Sequence, residues 1–371
     1  MEQSHSHNNF DLVRLFAATQ VVLVHVVSWM PDLRHDGWLR VLSLFPGVPI
    51  FFFISGFLIG GSWRRNPNAP AYVASRVLRI FPALWVACLF NLVLLLLLFT
   101  GPLLDNLGTV VGWMAMQLSF LQSWNPPFLR TYGMGVANPV LWTIPVELAF
   151  YVVLPVLWVL GQRLARPRTV LLGTAGLSLL LCWWATDWLS PHDPHVEMLR
   201  KVMTVSPVSF VSWLWMFLLG VLAQLEFERL RPWVAGRAGR FLALAAAVGG
   251  LSLVVDLPPL LHLPGNEIGV LNALANGLAC LAFAYSYPGL AARWLRGYDV
   301  SYGVYLYHMP ICNALIVLGW AGWQGGALVL AGTAVCAVLS WVLVERRALA
   351  LKGRLQGLFG KRARMGTEVV T

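Results

Sequence analysis

The chain has 371 residues and a net charge of +10, with 58% hydrophobic and only 11% charged residues. A soluble domain carries about 25% charged residues, so a mean hydropathy of +0.70 excludes a water-soluble globular protein and points to a polytopic membrane protein. The basic surplus lies in short loops between apolar stretches, which is the pattern of topology signals and not of a nucleic-acid surface.

The N-terminal tail contains His5 and His7 but lacks the basic n-region and small-residue cleavage site of a secretory signal, so the first helix is expected to stay in place. Apolar stretches long enough to span a bilayer follow at 10–30, 46–63, 80–100, 139–160, 169–189, 207–225, 241–256, 267–287, 300–320 and 325–344. A weaker stretch at 109–124, bounded by Asp105, Asn106 and Asn125-Pro126-Pro127, is expected to be re-entrant or peripheral. Basic residues cluster at 64–79, 163–168, 229–240, 293–296 and 346–364, whereas 101–108, 257–267 and 321–326 contain none. Cytoplasmic loops carry the Lys/Arg excess. A full crossing at 109–124 would put the 64–79 loop opposite the other basic clusters. The expected fold is therefore all-α: a polytopic transmembrane helical bundle of about ten crossings with both termini cytoplasmic, with Arg34, Arg40, Arg130, Arg200 and Lys201 as outside exceptions. It forms a single domain over 1–371, and the basic tail 345–371 suits anionic lipid headgroups.

Charge inside such helices is costly and marks functional sites by default. In the first helix Asp11, Arg14 and His25 lie along one stripe. Arg14 and His25, eleven residues apart, are separated by about 16 Å of rise and about 20° of rotation. The run 47–61 adds Ser55, Gly56, Gly60 and Gly61 to an aromatic segment, suited either to close helix packing or to a groove for an acyl-pantetheine arm. Arg76 and Arg79, at i and i+3, share a face at the cytoplasmic entrance of the third spanning helix. They fit either a diphosphate or a positive-inside signal with snorkelling side chains. Glu147 follows Pro145, which removes a backbone donor and is expected to strain the preceding turn. This acid serves either an inter-helix ion pair or a proton or orienting role. Ser301, Tyr305 and His308 share a face near the chain's end, with packing as the alternative for His308. Glu345 reads as an interfacial ion-pair partner.

Cys88, Cys182, Cys280, Cys312 and Cys336 lie in apolar segments without paired spacing, as small buried hydrophobes and not disulfides or metal ligands. Trp183, Trp184, Trp188, Trp213 and Trp215 fall near outer helix ends. An interfacial aromatic belt is favoured there over sugar stacking. Arginine outnumbers lysine strongly, a composition suggesting a GC-rich bacterial genome.

Together these segments resemble the integral-membrane acyltransferase-3 family of O-acyltransferases. The matching elements are Asp11-x-x-Arg14 with ten residues before His25, Phe51-Phe52-Phe53-Ile54-Ser55-Gly56-Phe57-Leu58-Ile59 and Arg76-x-x-Arg79-Ile80-Phe81-Pro82. Trp142-Thr143-x-x-x-Glu147-x-x-Phe150-Tyr151, Ser301-x-x-x-Tyr305-Leu306-x-His308 and Ser340-Trp341-Val342-Leu343-Val344-Glu345 complete the series. The resemblance implies transfer of an acyl group, usually acetyl, from acyl-coenzyme A to a hydroxyl of a sugar, glycan or natural product at the cytoplasmic (inner) membrane. Its functional positions map onto Arg14 and His25, onto Arg76 and Arg79, and onto Glu147, and the extracytoplasmic hydrolase-like domain that some members carry is not expected here. The expected roles are His25 as general base, supported by Glu147, and Arg14 at developing charge or donor phosphate. Arg76 and Arg79, with Ser55 and Gly56, would hold the donor, and Asp11, Trp142, Tyr305 and His308 would meet the acceptor. A covalent acyl-His25 route is the mechanistic alternative. A transporter or exporter of a small solute or glycan precursor, with the charged residues lining a path, is the functional one.

Overall fold

A computed structural model describes residues 8–101, 103, 105–122, 124–183, 209–255 and 269–353. Every regular element among them is helical. The chain runs α1 (Phe10–Trp29), α2 (Asp36–Leu42), α3 (Gly47–Arg65), α4 (Ala69–Leu98), α5 (Leu107–Gln117), α6 (Thr143–Arg163) and α7 (Pro167–Trp183). It continues as α8 (Val211–Leu225), α9 (Phe227–Val234), α10 (Ala238–Val254), α11 (Val270–Ala284), α12 (Leu290–Leu295), α13 (Ser301–Val317) and α14 (Gly322–Ser340). Each of the ten long apolar segments of the sequence falls on a helix. Five stretches are long and apolar enough to cross a bilayer: Phe10–Trp29, Asp36–Arg65, Ala69–Leu98, Pro139–Arg163 and Gly322–Gly353. The pair α8–α9 passes as a broken sixth, bent by 88°, and Pro167–Cys182, α10 and α11 are apolar but shorter. His5, His7, Trp184, Trp188, Arg200, Lys201, the 257–267 loop and 354–371 of the basic tail lie outside the described residues.

The weak 109–124 segment folds back. At about 1.5 Å per residue, the 11 residues of α5 reach only about half of a bilayer core. Beyond the end of α5, the Leu118 carbonyl accepts from Trp85 Nε1 at 2.9 Å, and Phe120 packs edge-on to Phe81 at 5.6 Å. Both partners lie in the middle of α4. The chain then returns to the far end of α4, where Phe128 and Tyr132 each pack 6.0 Å from Phe99. Buried Gln117 holds the turn, its amide donating to the carbonyls of Gln122 and Trp124 at 3.1 Å each.

Helices α3 and α8 cross in backbone contact. A Cβ on Gly56 would lie 1.9 Å from the Phe217 carbonyl oxygen, and one on Gly220 would lie 2.0 Å from that of Phe53. Only glycine allows this approach. Polar ties fix the remaining order. Gln20 of α1 donates to the Leu42 carbonyl at 2.8 Å and accepts from Gly47 N at 2.7 Å. Asn313 of α13 accepts from Met134 N at 2.9 Å and donates to the carbonyls of Val136 and Ala137.

Three local expectations are corrected. Pro145 occupies the first turn of α6, where backbone donors are free in any helix, so it neither breaks nor bends the segment carrying Glu147. Arg76 and Arg79 lie inside α4, about 10 and 15 Å along it from Ala69 and not at its mouth. Trp213 and Trp215 are buried in the main core and not in an interfacial belt.

Candidate active site

Arg14, Ser55, Arg76, Arg79, Glu147 and Tyr305 line one cavity of about 110 Å³, bounded by α1, α3, α4, α6 and α13. Helix α1 brings Arg14 to it and helix α4 brings Arg76 and Arg79, so three guanidinium groups gather on this cavity. Between α12 and α13, Asp299 receives Arg79 Nη2 at 2.7 Å and Arg14 Nη1 at 3.5 Å, while Ser301 Oγ donates to its other oxygen at 2.7 Å. Burial pushes the Asp299 carboxyl up, but Arg79, Arg14 and the two hydrogen bonds outweigh it and hold the group below its usual 3.8. Arg14 also reaches Asp11 at 3.3 Å.

A π-helical turn, Trp341–Glu345, follows α14. The wider turn lets Ser340 Oγ donate to Glu345 Oε1 at 3.0 Å and leaves Oε2 of this buried acid 3.8 Å from Arg79 Nη1. Glu345 is thus a buried partner of Arg79, deeper than the interfacial pair expected. Arg79 is shared between two carboxylates. Arg76 differs: its guanidinium lies 5.7 Å from the Tyr151 ring and 5.9 Å from the Tyr72 ring. Its Nε donates to Ser75 Oγ at 3.3 Å, and among the described residues no carboxylate pairs with it.

Deeper in the cavity, Glu147 accepts from Ser55 Oγ at 3.0 Å and from the Tyr151 hydroxyl. The Tyr305 hydroxyl bonds to Thr143 Oγ1 at 2.8 Å and to the Val140 carbonyl at 3.0 Å. One helical turn beyond Tyr305 lies His308, whose ring is 6.2 Å from that of Tyr305. His308 Nε2 is 2.9 Å from His25 Nδ1, with ring planes 13° apart.

The structure therefore brings six of the eleven sequence candidates to one cavity and two, His25 and His308, to a pair just past its Tyr305 end. Glu147 meets Ser55 and Tyr151, and the ring partner of His25 is His308. Gly56 lies in the α3–α8 crossing, Asp11 is exposed beside Arg14, and Trp142 packs 5.2 Å from Trp213. Asp299, Tyr151 and Tyr302, whose ring lies 5.9 Å from the Arg79 guanidinium, were not among the candidates. Asp299 stands two residues before the Ser301 motif, a proximity that is the only trace it leaves in the sequence. No group of three or more His, Cys, Asp or Glu suited to a metal occurs among the described residues, and the five cysteines are unbridged.

Half-buried arginines, paired carboxylates and an imidazole pair inside an apolar helical bundle define a membrane-embedded enzyme. The acyltransferase domain of the acyltransferase-3 family matches residues 7–345, so the chain belongs to that family and is an acyltransferase. It is 33% identical to nodulation protein 10 of Rhizobium leguminosarum bv. viciae over 95% of this chain and 96% of that one. It is 27% identical to the acyltransferase MdmB of Streptomyces mycarofaciens over 92% and 91%. It is 24% identical to the peptidoglycan O-acetyltransferase OatA of Listeria monocytogenes over 72% of this chain but only 44% of that one, so here the chain spans less than half of its relative. No solved structure matches. The family sets the transferase reading above the exporter.

Proposed function

We propose that the protein moves an acyl group, acetyl in the simplest case, from acyl-coenzyme A to a hydroxyl of a carbohydrate, glycan or glycosylated natural product. It does so in the bacterial cytoplasmic membrane, spanning it about ten times with both termini cytoplasmic. The observation carrying this reading is the cavity itself, which runs from the three arginines of α1 and α4 to Tyr305, one turn from the His25–His308 pair. Sites for drug-sized ligands measure about 300–1,000 Å³, so a cavity of about 110 Å³ suits the acyl-thioester tip, with the nucleotide left at the mouth. Arg76, which has no carboxylate partner among the described residues, is the guanidinium best placed to take a donor phosphate. Arg14 and Arg79 are engaged with Asp299. The names of its relatives, peptidoglycan O-acetyltransferase among them, support a hydroxyl-bearing glycan as acceptor class.

In the reaction, His25 takes the acceptor hydroxyl proton as that oxygen bonds to the thioester carbonyl carbon. The carbon–sulfur bond then breaks, and His25 returns the proton to the departing thiolate. Glu147, held by Ser55 and Tyr151, faces the donor end of the cavity and orders it. The test is thiol release from acetyl-coenzyme A by purified protein in nanodiscs with a glycan acceptor. His25→Ala should lose turnover by a factor of about 10²–10⁴, and turnover at the wild-type rate would remove His25 as base. The acyl-His25 route is separated by incubating with labelled acetyl-coenzyme A alone, since only that route leaves label on the protein.

A further inference from the structure

His308 is fully buried, and its Nδ1 lies 3.2 Å from the carbonyl oxygen of Val304, one turn earlier in α13. A carbonyl only accepts, so His308 Nδ1 carries the proton, and in a neutral imidazole Nε2 then holds the lone pair. That lone pair faces His25 Nδ1 at 2.9 Å, so His25 must donate through Nδ1. Its Nε2 is left as the unprotonated nitrogen. One backbone carbonyl thus sets the tautomer of two rings in series.

We propose that His308 is a positioning residue: it fixes His25 as the Nδ1-protonated tautomer and makes His25 Nε2 the nitrogen that takes the acceptor proton. This rests on the proposed role of His25. His308 moves no proton itself, because its Nδ1–H stays on the Val304 carbonyl throughout. When His25 Nε2 gains the acceptor proton, the imidazolium keeps its Nδ1–H donated to the His308 lone pair, a charge-assisted bond that strengthens as charge develops. The nearly coplanar rings suit this, since an imidazole lone pair lies in its ring plane.

Two substitutions and one direct measurement test the proposal. His308→Met fills the site without an acceptor, whereas His308→Gln places an amide oxygen near the former Nε2. His308→Met should lower kcat by about 10–100-fold, the size of effect that losing a histidine-orienting hydrogen bond has at metal sites. KM for donor and acceptor should stay within about twofold, as expected for an interaction made in the transition state. His308→Gln should recover much of the lost kcat. Unchanged kcat in His308→Met, or His308→Gln no better than His308→Met, overturns the proposal. Should either variant fail to fold, ¹⁵N-histidine spectra of the intact wild-type protein still decide, since a His25 protonated at Nε2 also overturns it. Full activity in His25→Ala would instead count against His25 as the base, and the spectra would still report the tautomer.

Discussion

Asp299 is the residue on which the arginines divide. It binds Arg79 at 2.7 Å and Arg14 at 3.5 Å and is itself only 14% exposed. Removing one partner of a buried ion pair leaves an uncompensated charge, at a cost of about 3–5 kcal/mol. Asp299→Asn should therefore destabilise the protein by about 3 kcal/mol, read as a lower thermal midpoint in detergent, and an unchanged midpoint would remove Asp299 from the ion cluster. Its folded-state pKa is depressed below 3.8, so its contribution is fully present above the unfolded value. That contribution is lost as pH falls through the lower folded value. Acid unfolding of wild type should accordingly steepen below about pH 4, and Asp299→Asn should flatten that limb. Arg76 predicts the reverse phenotype. Its partners are aromatic faces and a serine, so Arg76→Gln should leave the thermal midpoint nearly unchanged. It should raise the donor KM by about 10–100-fold, the value of a charged hydrogen bond to phosphate. An unaltered KM would return Arg76 to a topological role.

At the scale of elements, the same short motif carries packing and chemistry side by side. Ser55 turns toward Glu147 while Gly56, the next residue, opens α3 to α8. A methyl at Gly56 meets the Phe217 carbonyl at 1.9 Å, so the helices must part, whereas one at Gly250 of α10 meets nothing within 4 Å. Gly56→Ala should lower stability by about 1–3 kcal/mol or more through overpacking. Gly250→Ala should be neutral or gain up to about 1 kcal/mol of helix propensity. Equal unfolding curves for the two would remove the close crossing. The helices themselves were legible because an apolar run with flanking charge is a local property of the chain. The polar pairings were not, because they are tertiary: Arg79 and Asp299 are 220 residues apart and His25 and His308 are 283 apart. Sequence spacing put Ser301, Tyr305 and His308 on one face. It could not foretell that His25 would meet His308 while Glu147 turned to Ser55 and Tyr151. The π turn before Glu345 is equally silent in composition, yet it aligns Ser340 and that acid with Arg79.

For the whole molecule, sidedness and site depth are one question. The cavity's arginines lie in the first halves of α1 and α4, and the basic turn between α3 and α4 is cytoplasmic only if the 107–132 segment dips and returns. The contacts of Leu118 with Trp85 and of Phe120 with Phe81 put the bottom of the dip halfway along α4, and Phe128 and Tyr132 bring it back to Phe99. Exposed Asp105 and Arg130, before and after the dip, then face the same compartment. Single cysteines introduced at 105 and 130 in a cysteine-free background should both react with a membrane-impermeant maleimide added outside intact cells. A cysteine in place of Arg65 or Arg166 should react only after the cytoplasm is opened. Labelling of 105 and 130 from opposite sides would make 107–132 a crossing and split the basic clusters between compartments. The three arginines would then open on a different side from the other basic loops. With the predicted pattern, the proposed donor path would start from the cytoplasmic side among Arg14, Arg76 and Arg79 and reach His25 about 16 Å further along α1. The proposed acceptor hydroxyl would then approach from the opposite face of the bundle.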